Sequence, residues 1–286
     1  MYGVRRILAV VDTRKEQHLA LNRAIQIAKA TDSSLHILAA NPKPTPESME
    51  RLVELGRLAE ADGIETSSHE TWRSNVIETI IHVRQAERCH LVVKDHQPES
   101  FLEKTLKTPV DWTLMRKSRV PVLLVKHDRP YNEQNILATI NADPDDAEHQ
   151  LLNMAIMKNA QAACQPFAGK LNMATAYPTV MLATQNHLDG KSDREHYQDN
   201  CAFFANDYGV GVENIHVRPS PAETMIPSLA KELGIELLIM GTHARTGISA
   251  VTLGNTAEQL TRHIECDLLA VQSRHHMMPL ERELEQ

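Results

Sequence analysis

Short apolar runs recur along the chain, separated by stretches in which apolar residues return every third or fourth position. Arg6 to Asp12 reads R-I-L-A-V-V-D, and Asn135 to Asn141 reads N-I-L-A-T-I-N. Such runs, ending in a polar residue, are the pattern of buried strands. Strands are predicted near 5–11, 34–41, 64–70, 90–94, 120–126, 135–141, 170–177, 212–217, 236–240 and 266–272. Between them, spacings such as Leu21, Ile25 and Ala28 place apolar residues on one helix face. Strands that alternate with helices predict an α/β fold with parallel, doubly wound sheets.

The chain also repeats itself. His18 to Ile25 (H-L-A-L-N-R-A-I) matches His149 to Ile156 (H-Q-L-L-N-M-A-I), and Ser74 to Lys126 lies over Ser220 to Gln272 without a gap. Two tandem five-stranded domains are therefore expected, at 1–128 and 133–273, with a polar tail at 274–286. Pro130 breaks regular structure at the join. Pro178 to Ser192 reads as a loop inserted after the second strand of the second repeat. The last strand of each repeat, Val120 to Val125 and Cys266 to Val271, is an apolar edge. An unpaired edge of that kind is a liability. The two are expected to pair within one chain as a pseudo-twofold unit, which leaves further homodimer formation open.

Aromatic residues are only 4% of the 286, so the core must be aliphatic. A net charge of −7 argues against a nucleic-acid partner, which calls for a basic face. No run of about 18 apolar residues exists to span a membrane. Met1 to Asp12 is too short and too poor in apolar residues for a signal peptide. Cys89, Cys164, Cys201 and Cys266 are far apart and form no C-x-x-C pair, so neither a disulfide frame nor a zinc knuckle is expected. A cytoplasmic location is the expectation.

In an open α/β sheet, ligands bind beyond the carboxyl ends of the strands, where the strand order reverses. In the first repeat that places Asp12 and Asp95-His96-Gln97-Pro98 near a ligand. In the second it places Asn141 and Gly241-Thr242-His243-Ala244-Arg245-Thr246-Gly247 there, followed by Gly254-Asn255-Thr256 at a helix start. Glycines admit close backbone approach, and a helix start offers free N–H groups to an anion.

The string L-L-I-M-G-T-H-A-R-T-G-I-S-A-V-T-L-G-N-T, with the I-L-A-V-V-D opening and the C-D-L-L-A-V strand, resembles a universal stress protein domain. Both halves do, and the layout is similar to tandem-domain bacterial members of the UspE type. The nucleotide-binding branch of that family carries G-x-x-G, nine residues, then G-[S/T], with an acid ending the first strand. The second repeat keeps Gly241 and Gly254 but has Ala244, Asn255 and Asn141 at the other positions, with Asp143 near enough to replace the acid. The first repeat keeps Asp12 but has Asp95, Pro98, Thr108 and Pro109 at the loop positions. Pro109 has no N–H, and Asp95 brings negative charge toward a phosphate.

The resemblance implies a stress-response protein that acts by ligand binding, supporting survival under stress that includes DNA damage. The expected ligand is ATP or another adenine nucleotide, held in the second repeat by Asn141, Asp143, Gly241, Thr242, His243, Ala244, Arg245, Gly247, Gly254, Asn255 and Thr256. No catalytic residue or metal ligand is assigned. No P-loop lysine or evident general base supports hydrolysis. Two other readings stay open: a carrier of an apolar or lipid-like ligand, suggested by Val180-Met181-Leu182-Ala183 in the insert, and an enzyme that uses adenine nucleotides. Asp143-Pro144-Asp145-Asp146 reads as a helix cap, His275-His276 as solvated tail, and Trp72 and Trp112 as packing residues.

Overall fold

A computed structural model describes residues 1–97, 110–142, 147–177, 192–242, 260 and 263–272. The chain divides into two compact units. One comprises Tyr2–Tyr131 together with Asp267–Gln272, and the other is built on Asn132–Cys266.

The first unit contains strands β1 (Arg6–Val11), β2 (Ser34–Ala40), β3 (Thr66–Thr71), β4 (Leu91–Asp95) and β5 (Val122–Val125). Helices α1 (Leu19–Thr31), α2 (Pro46–Ala61), α3 (Val76–Ala86) and α4 (Val110–Lys117) connect or flank them. The strands run parallel in the order β3-β2-β1-β4-β5, with Ile7 beside both Leu35 and Leu91. The chain works outward from β1 in one direction and then the other, so the order reverses between β1 and β4. Ile7, Leu8, Leu35, Ile37, Leu91 and Val93 are fully buried. Central strands covered on both faces need such continuous apolar runs. The outer strand β3 reads T-S-S-H-E-T and is the polar exception, which suits an edge.

The second unit repeats the plan with β6 (Asn135–Thr139), β7 (Lys170–Tyr177), β8 (Ile215–Pro219) and β9 (Leu237–Gly241), in the parallel order β9-β6-β7-β8. Its helices are α5 (Ala147–Cys164), α6 (Asp193–Tyr208) and α7 (Ala222–Glu232). Ser192 and Glu195 form a capping box that starts α6, and Gly209 ends it in the left-handed region at φ 68°. The expected strand at 212–217 begins late. Val212–Asn214 is a 3-10 turn, closed by the Asn214 N–H on the Gly211 carbonyl, and pairing starts only at Ile215.

The fold is thus α/β and doubly wound in both repeats. The tenth strand, β10 (Asp267–Val271), pairs antiparallel with β5, setting Leu268 beside Leu124 and Leu269 beside Leu123. The two apolar last strands do pair within the chain, so β5 is not left as a bare edge. The Gln272 amide follows at once and donates to the Met115 and Arg116 carbonyls at 2.8 and 2.9 Å. All four cysteines are free. No helix among the described residues is long and apolar enough to cross a membrane.

Candidate functional site

In the second unit the carboxyl ends of β6, β7 and β9 open onto a cavity of about 260 Å³. Its described wall is mostly apolar, with Ile140, Leu152, Ile156, Met225 and Met240, and it includes Asn141 and Gly241. The structure thus brings together two of the residues expected at the ligand. Thr242 is buried beside Gly241 in sequence. Asp143, His243, Ala244, Arg245, Gly247, Gly254, Asn255 and Thr256 lie outside the described residues, as do the insert from 178 to 191, the acidic run 143–146 and the His275-His276 pair.

The turn after β6 is held by side chains that sequence reading did not assign. The Asn141 N–H donates to Asn153 Oδ1 at 3.1 Å, and Asn153 Nδ2 donates back to the Asn141 carbonyl at 2.6 Å. The Ala142 N–H donates to Thr175 Oγ1 at 3.3 Å. A buried amide satisfied at both ends fixes the backbone it grips. Asn153 belongs to the repeated L-N-x-A-I string, which was the available signal. His149, which opens the longer repeated stretch from His149 to Ile156, is the titratable side chain on the described wall of the cavity.

Gly241 has a packing reason of its own. A Cβ built there would meet Leu152 Cδ2 at 2.5 Å and Cγ at 2.8 Å. That constraint exists without any ligand.

The first unit has a cavity of about 520 Å³ at the matching ends of β1, β2 and β4, although its glycine motif is lost. Asp12, Arg14, Lys15, Lys43, Trp72 and Asp95 stand on its wall. Trp72 is half-exposed there, whereas Trp112 is buried as expected. The charges are largely committed to one another. Arg14 grips both Asp12 oxygens at 2.8 and 2.9 Å, and that hydrogen-bonding holds the Asp12 carboxyl below its ordinary range. Lys94 is buried, with Nζ 2.8 Å from Asp111 Oδ1 and donating to the Asp95 carbonyl at 2.8 Å. Burial alone would push the Asp111 carboxyl up. The His96 hydrogen bond at 2.9 Å and the Lys94 ammonium outweigh it, so the carboxyl falls below its ordinary value.

Asp95 occupies the position equivalent to Gly241. Its Oδ1 accepts the Ala20 N–H at 2.6 Å, in the first turn of α1, where His18 supplies no side-chain cap. The protein's own carboxylate thus takes an N–H that would otherwise face an anion. Asp95→Ala is expected to cost about 1 kcal/mol, the usual worth of a cap and its dipole interaction. Urea melts of the two proteins check this, and an unchanged midpoint would remove the capping role.

Two doubly wound α/β repeats, each with a cavity where the strand order turns, define a tandem α/β protein. A family model described as "Universal stress protein family" matches residues 3–126 and again 134–272. The chain belongs to that family, as a tandem-domain member of the UspE type. It is 31% identical over 220 residues to Universal stress protein E of Escherichia coli (strain K12), covering 73% of this chain and 69% of that one. To the Universal stress protein E homolog of Haemophilus influenzae it is 30% identical over 218 residues, covering 73% and 70%. A solved structure of a functionally unknown protein from Pseudomonas aeruginosa PAO1 superposes with TM-score 0.84 at 32% identity, over 99% of this chain and 98% of that one.

Proposed function

We propose that the protein acts in the stress response by binding a small molecule, an adenine nucleotide, in the second repeat. The observation that carries this reading is the open cavity beyond β6 and β9, with an apolar wall suited to a flat ring and with Asn141 and Gly241 at its rim. The glycine string that follows Gly241 in sequence would supply the N–H groups for the phosphates. Binding rather than turnover is the role we assign, because the string lacks a P-loop lysine. His149 is the group that a hydrolytic reading would have to use, so magnesium-dependent release of ADP that falls in His149→Ala would overturn this assignment.

Calorimetric titration of ATP into the full chain tests the ligand. In the family pattern a second glycine stands where this chain has Ala244. If that position needs a positive φ to hold the ligand, an alanine there costs on the order of 1–2 kcal/mol. Ala244→Gly is therefore expected to tighten ATP about tenfold, since 1.4 kcal/mol is one decade. Gly254→Asp should abolish binding by placing a carboxylate at the anion position. Asp95→Gly should not create a second site, because Pro109 still has no N–H. Undetectable binding by both the parent and Ala244→Gly would overturn the nucleotide reading.

The same apolar wall also favours a carrier of an apolar or amphipathic ligand. Mass spectrometry of the denatured protein separates the two readings: a co-purified lipid supports the carrier, and a nucleotide supports the first reading.

A further inference from the structure

Away from both cavities, the start of the first sheet gathers two imidazoles and a carboxylate. The parallel register sets His36 of β2 beside Ser67 of β3, and His69 follows two residues later on the same face. The two rings have centroids 5.4 Å apart. Glu87, at the C-terminal cap of α3, completes the group: its Oε2 lies 3.6 Å from His36 Nδ1 and its Oε1 3.8 Å from His69 Nδ1. All three ligand atoms lie within 4.8 Å of one another.

We infer that His36, His69 and Glu87 form a binding site for a divalent transition metal of the zinc class, with a fourth position left to solvent. Zinc takes imidazole nitrogen at roughly 2.0–2.1 Å, which in a tetrahedron places ligand atoms about 3.3 Å apart. The two Glu87 separations, 3.6 and 3.8 Å, are near that value, and the two imidazole nitrogens must close in further from within 4.8 Å. Two imidazoles and one carboxylate suit zinc and its neighbours rather than magnesium or calcium, which prefer all-oxygen sites.

The state of His36 fits this role. Its ring is fully buried, and its Nδ1 faces the Glu87 carboxylate. Ser67 Oγ accepts from Arg6 at 2.8 Å and lies 2.7 Å from His36 Nδ1. Nδ1 thus faces Ser67 and Glu87, while Nε2 is buried without a partner. A metal ion on Nδ1 would displace this hydrogen bond to Ser67. Arg6 also holds Glu87 Oε2 at 2.7 Å, which leaves Oε1 facing His69. This guanidinium orients the carboxylate but adds a competing positive charge beside the ion. A carboxylate at a helix C-terminus is unfavourable by itself, so cationic company at Glu87 has a physical reason.

The test is direct zinc titration of the chelator-stripped full-length protein, with bound zinc counted by native mass spectrometry. His69 is the most exposed of the three, with 62% of its side chain accessible, so His69→Ala should leave the fold intact. His69→Ala and Glu87→Gln should each remove one zinc equivalent, or weaken it at least tenfold. Arg6→Gln should tighten it severalfold by removing the adjacent charge. Cobalt added to the parent should show visible absorption that both ligand variants lack. Zinc held elsewhere, for instance by His96 and Asp111, would survive in these variants and not change the difference. Equal stoichiometry and affinity in the parent and His69→Ala would overturn the assignment.

Discussion

Asp267→Ala is expected to lower the stability of the protein by about 3–5 kcal/mol, the range found when one partner of a buried ion pair is removed. The Arg23 and Asp267 side chains are 2% and 0% exposed, and Arg23 Nε donates to Asp267 Oδ2 at 3.0 Å. The Tyr131 hydroxyl donates to the same oxygen at 2.8 Å, and the Lys126 N–H donates to Oδ1 at 2.8 Å. The guanidinium lies over the Tyr131 ring, 3.7 Å from its centroid, and also reaches Gln26 and the His127 carbonyl. Alanine at 267 would leave this cation buried with its countercharge gone. It would also free the end of β10 where it lies on β5. Guanidinium melts with a two-state fit check the size of the effect. The double replacement Arg23→Met with Asp267→Leu should recover most of the loss, because a buried pair exchanged for apolar side chains is often neutral. A loss below about 1 kcal/mol in the single variant would show that water reaches the pair.

Nothing in the sequence announced this pair, since Arg23 and Asp267 are 244 positions apart. The elements were legible for a simple reason. Central parallel strands must be apolar on both faces, so I-L-A-V-V and L-V-V stand out from any surrounding pattern. The pairing of β5 with β10 was legible too, because two apolar edges in one chain need covering. Edges read less well. The strand β3 is polar along its length, so its His69 reads as an ordinary edge residue, and only the register sets it near His36. Asn153 was visible only as a repeated letter, because its task of gripping both sides of the Asn141 peptide needs the turn after β6 to exist first. The two repeats also solve one position differently. Gly241 makes room for Leu152, whereas its counterpart Asp95 reaches out to cap α1, so the lost glycine is replaced by a helix cap.

That difference makes Gly241→Ala informative, and it is expected to cost about 1–3 kcal/mol, the range for overpacking a filled core. The added methyl group would stand 2.5 Å from Leu152 Cδ2, far inside normal contact, so either Leu152 or the end of β9 must move. Leu152 has little freedom to do so, being 5% exposed and seated on α5 against the sheet. Leu152→Ala alone should cost roughly 2–5 kcal/mol through the space it empties. The double variant places the new methyl group in that emptied space. Its cost should fall short of the sum of the two single costs by 1 kcal/mol or more, within the range of coupling seen for residues in contact. Urea melts of the four proteins give the cycle directly. Additive costs would mean that Leu152 is not what excludes a side chain at 241. The glycine would then have to be explained by a ligand alone, and ATP titration of Gly241→Ala, run beside the melts, would show whether it is.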